Sequence, residues 1–128
     1  MCQLFVGAEA ELWLSRTKSL RIEGVVTSIR LENFFWDVLA EIAFRDEMSV
    51  NQLITKLYFE SQDTELDLSN FTSFLRVCCG RYLSLVADSE LTRCEKTPMK
   101  KDGIDLLLSN ENKRTQARRR CFTREPSV

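Results

Sequence analysis

From Val25 to Leu31 the chain alternates, with Val25, Thr27, Ile29 and Leu31 set against Val26, Ser28 and Arg30. A period of two places successive side chains on opposite faces of a strand. The β-branched character of the wider stretch Leu20 to Leu31 agrees, and a strand starting near Val25 is predicted. The period then changes. Phe35, Leu39, Ile42 and Ala43 fall at i, i+4, i+7 and i+8, with Asp37 and Glu41 on another face. This predicts a helix from Phe34 to about Asp46, capped by Asn33. Ser49-Val50-Asn51-Gln52 reads as a capping box, and Val50, Leu53, Ile54 and Leu57 carry the helical spacing on to about Ser61. Past the acidic stretch Gln62 to Asp67, the positions Phe71, Phe74, Leu75, Cys78 and Tyr82 predict a third helix to about Leu85, with Asp67 or Ser69 as its cap.

One strand of good quality precedes these helices, and a lone strand leaves its backbone donors and acceptors without a ladder. A second copy of the chain is the obvious donor of the missing strand. Toward the N-terminus, Leu4-Phe5-Val6 reads as a short strand and Ala8 to Leu14 as one or two helical turns, with Trp13 packed. From Asp88 onward apolar residues are sparse except for Ile104 to Leu108, and Pro98, Gly103 and Pro126 punctuate a basic stretch. The organisation expected is an N-terminal extension over 1–18, a folded domain over 19–87, and a basic, partly disordered tail over 88–128.

With 128 residues and 44% apolar composition the chain can bury one modest core. Its apolar runs are short and broken by charge, far from the roughly 20 residues of a membrane span. Met1-Cys2-Gln3-Leu4-Phe5 has no basic lead, and Glu9 and Glu11 follow it, so a secretory signal is not expected and the cytoplasm, among the nucleoid, is. The five cysteines form one adjacent pair and no CxxC, which suits reduced thiols better than a disulfide framework or a zinc knuckle. A net charge of −1 hides an uneven distribution. Residues 1–30 carry four cations and three anions, residues 31–90 four and eleven, and residues 91–128 ten and five.

The order strand, helix, capped helix resembles the ribbon-helix-helix family of MetJ and Arc type, in its bacterial stand-alone form with a third helix. The residues that carry the resemblance are Thr27-Ser28-Ile29-Arg30-Leu31-Glu32 running into Phe35-Trp36, then Met48-Ser49-Val50-Asn51-Gln52-Leu53-Ile54, then Asn70-Phe71-Thr72-Ser73-Phe74-Leu75-Arg76-Val77. It covers about Ser19 to Leu85. The fold it implies is mainly α, with one N-terminal strand per chain pairing across an intertwined homodimer and a third helix added. The ribbon of such a dimer enters the DNA major groove. The shared dimer core would be Thr27, Ile29, Leu31, Phe35, Trp36, Leu39, Ile42, Leu53, Ile54 and Leu57. One departure stands out: Glu47 occupies the turn between the first two helices, where the family commonly has glycine. A left-handed residue other than glycine costs roughly 1 to 2 kcal/mol there.

Alternation leaves Val26, Ser28 and Arg30 outward, as base-reading candidates. Arginine can bond guanine O6 and N7 together, serine can donate or accept at several base edges, and valine can meet a thymine methyl. Any surface strand carries outward residues of these kinds, so the argument rests on the helices that follow. The amides near Ser49, Val50 and Asn51 form a phosphate clamp with the helix dipole, although a capping box serves equally well merely to start a helix. Arg16, Lys18 and Arg21 would add phosphate contacts, or stand as solvated charges. The tail cations Lys113-Arg114 and Arg118-Arg119-Arg120 read first as a solvated charge run.

Competing functions find less in the sequence. There is no histidine, no glycine-rich phosphate loop and no cysteine beside a visible base, so no enzyme is expected. No cofactor and no metal are expected, and the missing histidine argues against nickel sensing. The expected partner is double-stranded DNA with a pseudo-palindromic operator, bound by a homodimer, with room for higher assembly on DNA, and no membrane. The alternative is an antitoxin-like dimer that binds a protein through residues 91–128, whose single short apolar run offers few anchors.

Overall fold

The computed structural model describes residues 1–62, 70–93 and 101–122. Its elements are α1 (Cys2–Val6), α2 (Ala10–Trp13), β1 (Ser15–Ile22), β2 (Val25–Glu32), α3 (Asn33–Arg45), α4 (Val50–Gln62), α5 (Phe71–Ala87) and α6 (Lys101–Phe122). An antiparallel ribbon followed by packed helices, with α5 and α6 added beyond α3 and α4, is a ribbon-helix-helix fold.

The chain supplies both strands of this ribbon itself, where the sequence reading expected one strand per chain. Strand β1 pairs with β2 from Ser15↔Glu32 to Ile22↔Val25. The connection is only Glu23-Gly24, with φ of 51° and 77°. Two consecutive left-handed residues make the tight turn whose twist matches that of paired strands. Glycine adopts it freely and Glu23 carries the strain. Leu20, Ile22, Ile29 and Leu31 turn to the helices and are at most 4% exposed. They meet Trp36, Leu39, Leu53, Ile54, Leu75 and Cys79 in one core.

Trp36 holds the ribbon to α3. It is buried, its Nε1 donates to the Arg16 carbonyl at 2.9 Å, and the Lys18 Nζ lies 4.9 Å from its ring centroid. Lys18 stands on the inner face, where its apolar stem covers the indole while its charge meets the ring face.

Helix α3 starts one residue earlier than expected, and Asn33 is not its cap. The ladder continues one rung past Glu32, so the Asn33 amide donates to the Leu14 carbonyl at 2.8 Å and its side chain to the Glu11 carbonyl at 3.0 Å. The same contacts tie down the N-terminal residues, where α1 replaces the short strand expected at Leu4-Phe5-Val6. Trp13 remains 60% exposed.

Helix α3 ends on Glu47, at φ 55°. The Met48 amide donates to the Ala43 carbonyl at 3.0 Å and the Glu47 amide to Phe44 at 3.2 Å. These two bonds satisfy carbonyls that a helix end otherwise leaves open. The same closure recurs after α5 around Ser89, at φ 63°, with Glu90 bonded to Leu85. Helix α4 opens with the capping box read from the sequence: the Ser49 amide donates to Gln52 Oε1 at 2.8 Å, and the Gln52 amide to Ser49 Oγ at 3.1 Å. Asp67 and Ser69, the caps expected for α5, lie outside the described residues.

Polar contacts join the later elements. The Glu41 carboxylate accepts from the Tyr82 hydroxyl and from Arg93 at 2.8 Å, and Arg45 donates to the Thr92 carbonyl. The stretch expected as a tail of marginal order contains the 22-residue helix α6. Arg81 meets Glu111 at 2.6 Å, Arg114 meets Glu90 at 3.1 Å, and Arg118 meets Asp88. Ile104, Leu107 and Leu108 line a cavity beside Ile42, Leu57, Leu85 and Leu91, a short apolar stripe supplemented by these ion pairs.

Two stability predictions follow from these details. Glu47→Gly removes left-handed strain but loosens the unfolded chain, so a net gain of roughly 0.5 to 1 kcal/mol is expected in urea unfolding. Burial first, and then the bond to Glu41, push the Tyr82 hydroxyl up to about 12, and burial together with Cys78 pushes the Cys79 thiol up to about 12. Both groups hold their protons more tightly folded than unfolded. Their contribution is therefore complete below the unfolded pKa, about 8.5 for Cys and about 10 for Tyr, and is lost as pH climbs toward the folded values. Unfolding midpoints should fall over that window, and Tyr82→Phe should flatten the upper part of the fall.

Candidate nucleic-acid interface

Burying one face of the hairpin fixes what the other face shows. Across the outer face Thr17 stands opposite Arg30, Ser19 opposite Ser28, and Arg21 opposite Val26, and all six are exposed. Val26, Ser28 and Arg30 are thus brought together as the alternation predicted. The second strand adds Arg21, expected only as a phosphate contact, together with Thr17 and Ser19, which the sequence reading passed over. The clue was present in Leu20 and Ile22, which alternate with Ser19 and Arg21 on the other side of Glu23-Gly24.

The two arginines sit at opposite corners of this face. Four residues separate the Arg30 and Val26 positions along β2, about 14 Å at strand rise. DNA rises 3.4 Å per base pair, so the corners lie about four base-pair steps apart. Between them are the Ser19 and Ser28 hydroxyls, and Val26, 61% exposed, stands beside Arg21. A two-stranded ribbon of this kind is narrow enough for the major groove.

At the open end of the ribbon Glu32 would oppose a phosphate backbone, but Arg76 on α5 bonds it twice, at 3.0 and 3.1 Å. The Arg76 guanidinium holds the Glu32 carboxyl below the usual carboxylate range. One negative charge beside the outer face is thereby matched.

The remaining candidates fall in other places. Arg16 and Lys18 pair with Leu31 and Ile29, on the side of the ribbon that turns to the helices, and Lys18 is engaged with Trp36. Ser49, Val50 and Asn51 stand at the start of α4, separated from Glu32 by the 13 residues of α3, about 20 Å of helix. The capping box occupies the amides of Ser49 and Gln52. The amides of Val50 and Asn51 lie in the first turn of α4, where a helix leaves its donors without an intrahelical partner. The residues expected as a dimer core are core within one chain: Ile29, Leu31, Trp36, Leu39, Leu53 and Ile54 are buried, and Thr27, Phe35, Ile42 and Leu57 are half-buried.

Among the described residues, no cluster of three or more histidine, cysteine or acidic side chains could hold a metal, and no helix is long and apolar enough to cross a membrane. Ribbon, helix and capped helix define a ribbon-helix-helix fold, and comparison with known proteins gives the family. Residues 15–83 match the ribbon-helix-helix domain, and the chain belongs to that family, whose members are generally DNA-binding regulators on a non-enzymatic fold. The match begins with Ser15, the first residue of β1, so the intrachain strand lies inside the family domain. Among solved structures, an uncharacterized protein from Bordetella pertussis Tohama I is similar, with 44% identity over 81% of this chain and 86% of that one and a TM-score of 0.73. No curated protein matches.

The Glu32 and Arg76 pair yields a measurable consequence. A carboxylate with a lowered folded pKa stabilises the fold above the unfolded pKa, and that contribution is lost as pH falls through the folded value. Arg76→Ala should return the Glu32 carboxyl to the ordinary range by carboxylate NMR titration, and acid unfolding should begin at higher pH than in the wild type.

Proposed function

We propose that the chain is a sequence-specific DNA-binding transcriptional regulator that acts as a homodimer on a pseudo-palindromic operator and represses by occupying it. The observation that carries this reading is the outer face of the ribbon, a flat exposed strip with an arginine at each end and hydroxyls between. Arg30 and Arg21 would each bond guanine O6 and N7, Ser28 and Ser19 would bond base edges between them, and Val26 would meet a thymine methyl. The Val50 and Asn51 amides at the start of α4, with Ser49 beside them, would donate to a backbone phosphate, and the exposed Arg16 would bind another.

The acidic middle of the chain supports this use of the ribbon, because charge away from the reading face repels DNA from wrong approaches. Binding a protein partner through residues 91–128 has less support. Helix α6 already spends Glu111, Arg114 and Arg118 on contacts with its own chain. DNA in the nucleoid is the target that this chemistry suits.

The test is retention of sheared genomic DNA from the source organism on the purified protein at physiological salt, followed by sequencing. Enrichment of a short pseudo-palindrome is expected. Arg30→Ala and Arg21→Ala should each leave folding intact and relax one position of the motif, with discrimination falling by roughly 1 to 3 kcal/mol. Retention that ignores both arginines, or no enrichment at all, would refute ribbon readout.

A further inference from the structure

The N-terminal residues are held at the open end of the ribbon without entering the core. Helices α1 and α2 bury no residue, and at five and four residues they are too short to persist alone. The Asn33 amide and side chain fix them, through the Leu14 and Glu11 carbonyls. Between them and the start of α3 lies a cavity of about 430 Å³, within the roughly 300 to 1,000 Å³ usual for small-molecule sites. Four aromatic rings line it, those of Phe5, Trp13, Phe34 and Phe35. Phe34 and Phe35 stand edge to face, with centroids 5.5 Å apart and planes at 76°, so they form two walls near a right angle. Phe5 and Trp13 are 61% and 60% exposed and Phe34 is 39% exposed, which leaves ring surface open to whatever enters. Among the described residues, Glu32 is the one charged side chain that lines the cavity.

We propose that this cavity is a binding site for a small organic cation of the quaternary ammonium class. The face of an aromatic ring carries negative potential, so several rings around one volume attract a cation while they hold its alkyl groups by apolar contact. Glu32 adds an anion to the wall. Arg76 engages its two oxygens from α5, at 3.0 and 3.1 Å, which leaves the rings as the main attraction. That engagement also selects among cations. A primary ammonium brings three N–H donors that need acceptors, and rings and aliphatic side chains supply none. A quaternary ammonium brings no donor, so no polar hydrogen is left unpaired when water is expelled. An anion would be repelled by the ring faces and Glu32 together, and an uncharged hydrocarbon would gain the apolar contact alone. Glu32 ends β2, two residues beyond Arg30, so the cavity adjoins the open end of the ribbon. Cation binding there is independent of what the ribbon reads.

The test is titration of the full chain with choline chloride, read by tryptophan emission and by saturation transfer to the choline methyl protons. Trp36 is buried and lies outside the cavity, so a saturable change in emission reports Trp13. The neutral analogue of choline, with carbon in place of nitrogen, is expected to bind roughly 10-fold more weakly, as loss of a partly desolvated cation–π contact does. Trp13→Leu and Phe34→Leu keep apolar contact and remove ring faces. Each should weaken choline several-fold and affect the neutral analogue less, with circular dichroism unaltered because neither residue is in the core. Sodium chloride at the same ionic strength should leave the emission unchanged. A neutral analogue that binds as well as choline overturns the cation site and leaves a plain apolar pocket. No saturable response to choline into the millimolar range, or a response indifferent to both substitutions, overturns binding in this cavity.

Discussion

Everything displayed by the ribbon depends on what its other face must bury. A hairpin alternates strictly, so once Leu20, Ile22, Ile29 and Leu31 are committed to the helices, a slip of one residue would carry all four into water. Each buried aliphatic side chain is worth roughly 1.5 to 3 kcal/mol, enough to exclude every other register. The outer residues need no interaction of their own to hold their places. Arg21, Ser28 and Arg30 are positioned by the burial of their neighbours, which leaves their side chains free for a ligand.

Trp36 extends that constraint from the ribbon to the rest of the chain. It is the first large side chain after the strand to helix junction to be fully buried, and it binds β1 through the Arg16 carbonyl while lying against Lys18. A ribbon held only by β2 would join the helices along one strand. The indole bond to β1 ties down the second strand as well, so the hairpin and α3 form one rigid unit. Arg76 and Glu32 brace the open end of the same unit from α5.

The parts of this arrangement that are local in sequence were legible there. Strand β2, helices α3 and α4 and the Ser49 and Gln52 capping box follow from spacing and end signals within a few residues, whereas the left-handed turn at Glu47 was marked only by the family resemblance. Strand β1 was hidden because its inner face carries only Leu20 and Ile22 in apolar form. The next inward position, Lys18, becomes an inner residue only in the presence of Trp36, 18 positions away. With β1 unseen, β2 had to borrow a partner from another copy, and Arg21 was assigned to phosphate rather than to the reading face. Helix α6 escaped for a related reason. Its one apolar run, Ile104 to Leu108, covers little more than one turn of a 22-residue helix, and the partners that hold the rest, Arg81, Asp88 and Glu90, are charges on remote segments.

Making the ribbon within one chain separates two properties that a ribbon shared between chains would join. Both strands of the exposed face and the core beneath it belong to one chain. Under the proposed reading, a second copy contributes information rather than the ribbon itself. One face spanning about four base-pair steps distinguishes on the order of one site in a few hundred, while a genome offers about a million or more competing sites. Two faces held at fixed separation multiply their discrimination, so the spacing between copies becomes part of the sequence being read. Under the proposed reading, each ribbon recognises bases and the geometry of the dimer sets the distance between ribbons.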